Sequence, residues 1–313
     1  TPKYNLDIMK KNQTLFDVTT SILEGMREII VKEHPDMILV HGDTTTTMAT
    51  GLAAFYLGIP VGHVEAGLRT YDLHAPFPEE FNRQAVGIFA NLHFAPTPLA
   101  KGNLLKEGKK ADTIFVTGNT AIDALQTTIR SDYTHPVLEW ASDSRLVILT
   151  AHRRENLGAP LYQIFQGIKR VLDETPDIKV VYPIHMNPVV RQTAQEVFKE
   201  HDRMRIIEPL DVLDFHNFLN KAFLILTDSG GIQEEAPGLG KPVLVMRNTT
   251  ERPEGVEAGT LKLVGTNENK IYTEFKKLVT DSAAYAKMSH AVNPYGDGTA
   301  SQQIVSILET YFS

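Results

Sequence analysis

Nine short apolar runs, each leading into a helical pattern or a polar stretch, constrain this 313-residue chain more than any other feature. "MILVHG" (37–42) precedes "TTTTMATGLAAFYLG" (44–58), and "PVGHVEAG" (60–67) precedes "PEEFNRQAVGIFANL" (78–92). The rhythm continues through "LHFAPT" and "TIFVTGNT", and then through "RLVILTAH", "IKVVYPIH", "MRIIEPL", "FLILTDSGG" and "KPVLVM". Runs such as "LVILT" and "FLILT" do not alternate apolar with polar residues, so both faces of those strands must be covered. That pattern belongs to central strands of a parallel sheet flanked by helices. With 42% of its residues apolar, a chain of this length can fill two cores. The expectation is an α/β protein of two Rossmann-like, doubly wound domains. The polar stretch "SDYTHPVLEWASDS" (131–144) interrupts the rhythm and marks the expected linker, with a first domain over 1–142.

Composition narrows the function. The 38 acidic and 31 basic residues give a net charge of -7, so no overall positive field draws the chain to nucleic acid or to an anionic membrane. Any phosphate must be held locally. The absence of cysteine excludes disulfides, thiolate zinc sites and thiol nucleophiles, and suits a reducing cytoplasm. No apolar run approaches the ~20 residues of a membrane span, and none resembles a signal peptide. No G-x-G-x-x-G follows a strand and the spacings of a metalloprotease are missing, so neither a nicotinamide nor a metal cofactor is expected.

In open parallel sheets, ligands bind beyond the carboxyl ends of the strands. There the first domain places His41-Gly42-Asp43 with four threonines, His63 with Glu65 and Arg69, and Glu79, Glu80 and Arg83. The second places His152-Arg153-Arg154-Glu155, His185-Met186-Asn187, Asp228-Ser229-Gly230-Gly231, and Arg247 to Arg252. Most of these have a second, structural reading. Asp43 stands where a helix N-cap belongs, an interaction worth about 1 kcal/mol. Arg83 can pair with Glu79 along one helix face. Ser229-Gly230-Gly231 is either a tight turn or a diphosphate cradle at a helix N-terminus, and a carboxylate at Glu234 or Glu235 could then receive ribose hydroxyls. "HRREN" is either a solvated loop or a set of cations for a sugar diphosphate.

Taken together, "HGDTTTT", "HVEAGLRT", "PFPEEFNR", "HRREN", "YPIHMNP", "TDSGGIQEEAP", "TTERPEGVEAGT" and "NPYGDG" resemble the non-hydrolysing bacterial UDP-N-acetylglucosamine 2-epimerases, from about residue 3 to the end. The resemblance implies the GT-B architecture with an active site in the cleft between two domains. It also implies a second domain over 143–295, a final helix over 296–313 that returns to the first domain, and a homodimer. The implied reaction interconverts UDP-GlcNAc and UDP-ManNAc for bacterial surface polysaccharides. The matching positions imply Asp43, Glu65 and Glu79 as acid/base carboxylates, with Arg83 beside the sugar. They imply His152 near UDP and catalysis, and Ser229, Glu235 and Arg252 on UDP. Glu80, Arg69 and Asp72 are expected to brace the loop. Gln13, Arg153 and His185 resemble a regulatory site for a second, activating UDP-GlcNAc, although His185 at a strand end also reads as a satisfied core histidine.

The sequence departs from that family at its start, where a strand and a Gly-Thr-Arg-Pro-Glu loop are expected and Thr1 opens on a later connection. The corresponding expectation is a fragment of a longer enzyme, or else a shortened protein, whose first domain as given leaves sheet edges and apolar surface uncovered, with the activity belonging to the complete protein. Three other activities fit the fold: a GT-B glycosyltransferase, a hydrolysing epimerase and a non-catalytic nucleotide-sugar sensor. Several acids around one ring favour the epimerase over a transferase, which needs one base and an acceptor groove.

Overall fold

The computed structural model describes residues 2–199, 201–250 and 252–313. The chain divides into two compact units, one formed by residues up to Thr120 with Thr299–Ser313, the other by Ala121–Gly298.

In the first unit, α1 (Leu15–Glu33) starts at Thr14, whose hydroxyl caps Asp17 N while the Asp17 carboxylate accepts from Thr14 N, a reciprocal capping box. Then follow β1 (Ile38–His41), α2 (Thr45–Tyr56), β2 (Val61–Val64), α3 (Glu79–Phe89), β3 (Leu92–Ala95), α4 (Pro98–Lys106) and β4 (Ile114–Val116). The four strands are parallel in the order β1-β2-β3-β4. The central β2 and β3 are buried throughout, as their unbroken apolar runs require, whereas β1 lies at an open edge with Leu39 46% exposed.

The second unit runs through α5 (Thr120–Thr128), α6 (Pro136–Trp140), β5 (Arg145–Thr150), α7 (Ala159–Glu174), β6 (Ile178–Pro183), α8 (Pro188–Phe198), β7 (Met204–Ile207), α9 (Val212–Lys221) and β8 (Leu224–Thr227). It continues through α10 (Ile232–Gly238), β9 (Val243–Val245), α11 (Pro253–Ala258), β10 (Leu261–Leu263), α12 (Glu268–Thr280) and α13 (Ser282–Ser289). Its six parallel strands are ordered β10-β9-β8-β5-β6-β7, the doubly wound arrangement. The order reverses between β5 and β8, so the loops after Thr150 and Thr227 open at the switch point where such sheets hold ligands. Thr150 and Thr227 are paired in register there, with hydroxyls 2.6 Å apart. Along α7 the apolar residues Leu161, Ile164, Phe165, Ile168, Val171 and Leu172 recur at helical spacing and are all fully buried, Phe165 packing on Tyr182 and Phe198. Finally α14 (Ala300–Tyr311) lays Ile304, Ile307 and Leu308 against Val64, Leu92 and Phe94 of the first unit.

Two local features differ from the sequence reading. The polar stretch 131–144 contains α6, and Tyr133, Val137, Leu138 and Trp140 pack on the second unit's core around Leu146 and Phe218. Residues 121–142 therefore sit with the second unit, where Ile122 and Leu125 also pack on Tyr295. The division falls at Thr120, not at 142, because a few large side chains in a polar segment suffice to dock it. A tenth strand, Leu261–Leu263, pairs with β9 across the glycine-rich "EGVEAGT", where three residues carry too little periodicity to be seen in advance.

Candidate active site

The first unit gathers its carboxylates where β1 and β2 end. Gly42 turns the chain at φ 69°, and a Cβ there would lie 3.0 Å from Glu65 Oε2, so the missing side chain makes room for that carboxylate. Glu65 itself is held at φ 64°, a left-handed conformation that costs a non-glycine residue on the order of 1 kcal/mol and recurs at functional positions. Asn119 Nδ2 donates to Glu65 Oε1 at 3.3 Å. His63 Nε2 bonds Gly42 O at 2.8 Å. Because burial depresses His63 to a pKa of about 3, the ring stays neutral and this lock is insensitive to pH near neutrality.

Asp43 is not the helix cap. Thr44 takes that place by accepting from Thr47 N, which leaves the Asp43 carboxylate to receive Arg83 Nη2 at 2.6 Å. Arg83, 5% exposed, also donates Nη1 to Glu80 at 3.1 Å. The alternative structural reading of Arg83, a pair with Glu79 along the helix, is not what forms; the structure pairs it with Glu80 and Asp43. Its Nε is buried with no hydrogen-bond partner among the described residues, and so is Glu79 Oε2. Glu80 is wholly buried and accepts from Thr70 N, Tyr71 N and Gln84, while Arg69 grips Glu107 in a two-point contact and Asp72 caps His74 N. These three brace the loop.

The second unit organises its site around Asp228, which the sequence reading left among the loop residues without a role. It is fully buried, and its carboxylate accepts from His152 N at 2.9 Å, Arg153 N at 2.9 Å and Asn156 Nδ2 at 3.0 Å. One buried acid directly after β8 thereby ties the "HRREN" loop after β5 to the Ser229 loop across the switch point. His152 stacks on His185 with ring centroids 5.2 Å apart, and burial lowers its pKa despite the nearby Asp228 charge. Ser229 N is held by Thr227 Oγ1, and Gly230 and Gly231, which carry no side chain of their own, follow. The helix they open, α10, has only seven residues and contains Pro237, so its dipole adds little; the backbone N–H groups and nearby cations remain.

Arg252, 9% exposed, is joined through Nε to Glu234, itself 1% exposed. Tyr295, fully buried, donates its hydroxyl to Arg252 O. Gln13 lies in the first unit, and its carboxamide is used within its own loop, donating to Ile8 O and accepting from Lys10 N. A groove of about 670 Å³ lined by Asn91, Phe115, Ile307 and Tyr311 lies at the amino ends of β3 and β4, the opposite end of that sheet from the first unit's own carboxylates.

Glu235 has a raised pKa of about 7, chiefly through burial and secondarily through Glu234, with Arg252 opposing. Folding thus makes this carboxyl hold its proton more tightly. Its contribution to stability is fully present below the ordinary carboxylate pKa of 4.5 and is lost as pH rises through about 7. Glu235→Gln removes that loss, so in urea unfolding without nucleotide the variant should gain on the parent between pH 5 and pH 8, by on the order of 1–3 kcal/mol. A difference that stays constant with pH would mean the group titrates normally.

Comparison with known proteins follows from this geometry. The family model described as UDP-N-acetylglucosamine 2-epimerase matches residues 1–309. The UDP-N-acetylglucosamine 2-epimerase of Bacillus subtilis is 61% identical over 98% of this chain and 81% of its own length. Among solved structures, a Staphylococcus aureus protein in co-structure with UDP is 53% identical with a TM-score of 0.94, covering 100% of this chain and 84% of that one. UDP-GlcNAc 2-epimerase from Neisseria meningitidis, bound to UDP-GlcNAc, is 45% identical with a TM-score of 0.91, covering 99% and 86%.

Proposed function

The chain belongs to the UDP-N-acetylglucosamine 2-epimerase family, and from that premise we propose that it inverts C-2 of the sugar by letting UDP leave and return. The enzyme is an isomerase that interconverts UDP-GlcNAc and UDP-ManNAc. The C-2 proton of the intact sugar is far too weakly acidic for an unaided carboxylate. As the C-1–O bond breaks, the oxocarbenium-like ring acidifies that proton, a base removes it, and 2-acetamidoglucal and UDP remain. A proton delivered to the opposite face and re-addition of UDP at C-1 give the epimer, with no oxidant and no net loss of atoms. Acids and bases must therefore surround the ring, and donors must meet the leaving diphosphate.

The observation that carries this reading is the carboxylate group of the first unit. Asp43 is charge-paired with Arg83, Glu65 is strained into place against Gly42, and Glu79 keeps a buried oxygen without a hydrogen-bond partner among the described residues. We assign acid/base work to these three and the positioning of the sugar to Arg83, whose free Nε is a spare buried donor. His152, Ser229, Gly230, Gly231, Glu235 and Arg252 are assigned to UDP, with Asp228 holding the loops that present them.

A homodimer and a cytoplasmic site of action belong to the same reading; no helix of the described residues is long and apolar enough to cross a membrane. A second, activating UDP-GlcNAc would engage Arg153 and His185, and the His152–His185 stack offers it a direct route to the active site. Gln13 would first have to leave its own loop.

Incubation with UDP-GlcNAc and no acceptor tests the reaction. UDP-ManNAc is expected; free ManNAc with UDP would make the enzyme hydrolysing, and unchanged substrate would favour a transferase or a sensor. Because departure of UDP supplies the acidity, turnover should be unchanged in EDTA and without nicotinamide. Loss of activity in chelator would count against the elimination route.

A further inference from the structure

We propose that His216 is a positioning residue for Glu235 that takes up its proton when the nucleotide binds. The inference deepens the reading that Glu235 receives the ribose hydroxyls and rests on it.

His216, on α9, is 4% exposed, and its Nδ1 lies 2.7 Å from Thr128 Oγ1. Thr128 Oγ1 also lies 2.8 Å from Ala124 O, one turn back along α5, an acceptor to which its hydroxyl can donate. With the hydroxyl donated to Ala124 O, Oγ1 offers His216 a lone pair, and we place the ring hydrogen on Nδ1. The geometry around Thr128 is fixed by Asn217, whose Nδ2 donates to Thr128 O while its Oδ1 accepts Arg130 N. With the hydrogen on Nδ1, the neutral ring presents a bare Nε2 to Glu235, 3.8 Å from Oε2 and just beyond hydrogen-bond length.

A bare nitrogen facing a carboxylate is a poor arrangement, but one proton satisfies both groups. The charged neighbours of Glu235 are Glu234 from its own helix and Arg252 from the segment entering α11, with His216 facing it from α9. Burial favours the neutral form of both partners before nucleotide binds, so the proton that the pair holds sits on Glu235, whose Oε2 faces Nε2 at 3.8 Å. Ribose hydroxyls are donors and need the carboxylate. On binding, the Glu235 O–H bond breaks and an N–H bond forms at Nε2, leaving an imidazolium beside a carboxylate and releasing no proton to solvent.

Calorimetric titration with UDP-GlcNAc at pH 7, in buffers of different ionisation enthalpy, counts the protons released; the diphosphate diester of this probe does not titrate near neutrality. With about half of Glu235 already ionised at pH 7, the parent, whose pair ends with one proton on His216, should release none and instead take up about half a proton. His216→Gln, which cannot accept a proton, should release about half a proton, as expected of a carboxyl with a pKa near 7. Any contribution from His152 is common to both and cancels in the difference. Equal release by parent and variant would overturn the proposal. Glu235→Gln distinguishes the two layers: binding weakened by ~10-fold upholds the ribose reading, and unchanged binding removes that reading and this inference with it. Should His216→Gln fold poorly, ¹⁵N-histidine NMR on the parent serves instead. Nε2 of His216 should change from unprotonated to protonated on saturation with UDP-GlcNAc, and a ring that stays neutral refutes the transfer.

Discussion

Glu65→Gln and Asp43→Asn are each expected to slow epimerisation by ~10²-fold or more, the scale of lost acid/base catalysis, while UDP affinity stays within a few-fold. Both substitutions keep the side chain's size and one acceptor oxygen. In Asp43→Asn that oxygen can still receive Arg83 Nη2, and α2 keeps its cap because Thr44 provides it. A fall in rate would thus report the missing ionisable oxygen and not a frayed helix. Glu65→Gln leaves the backbone at φ 64° to the same surroundings, so its Gly42 neighbour and His63 lock persist. The measurement is single-turnover conversion of UDP-GlcNAc beside equilibrium binding of UDP. Wild-type turnover in Asp43→Asn would reduce Asp43 to a brace for Arg83, and wild-type turnover in Glu65→Gln would remove the strained residue from the chemistry.

Arg252→Ala is expected to release 2-acetamidoglucal and free UDP during turnover, because the intermediate must recapture UDP before either escapes. Charge-assisted hydrogen bonds contribute roughly 1.5–3 kcal/mol, and they strengthen as negative charge develops on the departing phosphate. An increase of ~10-fold or more in glucal per epimerisation follows. The structure adds a second consequence. Glu234 is 1% exposed and bonded to Arg252, so the alanine variant also takes the guanidinium away from a buried carboxylate, at a cost of about 3–5 kcal/mol in stability. Arg252→Ala combined with Glu234→Gln removes that penalty and isolates the effect on recapture. NMR of the reaction mixture gives the glucal ratio for each variant. An unchanged ratio with weaker substrate binding would mean that Arg252 only anchors the nucleotide.

The interplay at Glu234 shows where the sequence stops being informative. Unbroken runs such as "LVILT" and "FLILT" determined parallel strands covered on both faces, and the polar residues following each strand marked the loops to which we assign the site. Those inferences rest on local periodicity, which a single chain displays openly. Which strand adjoins which is not local: the reversal between β5 and β8, which sets Asp228 under the His152 loop, appears only when the sheet is assembled. Partner choice is decided in the same way. Asp43 and Arg83 are 40 positions apart and meet because β1 and α3 are brought together, while Thr44, one residue along, takes the capping role that sequence alone allowed Asp43. Protonation is equally a tertiary property. Glu234 and Glu235 are identical side chains in one helical turn, yet the first is bonded to Arg252 while burial raises the pKa of the second to about 7. Side-chain type and spacing set the chemistry available to this chain; desolvation and long-range contact selected which groups carry charge.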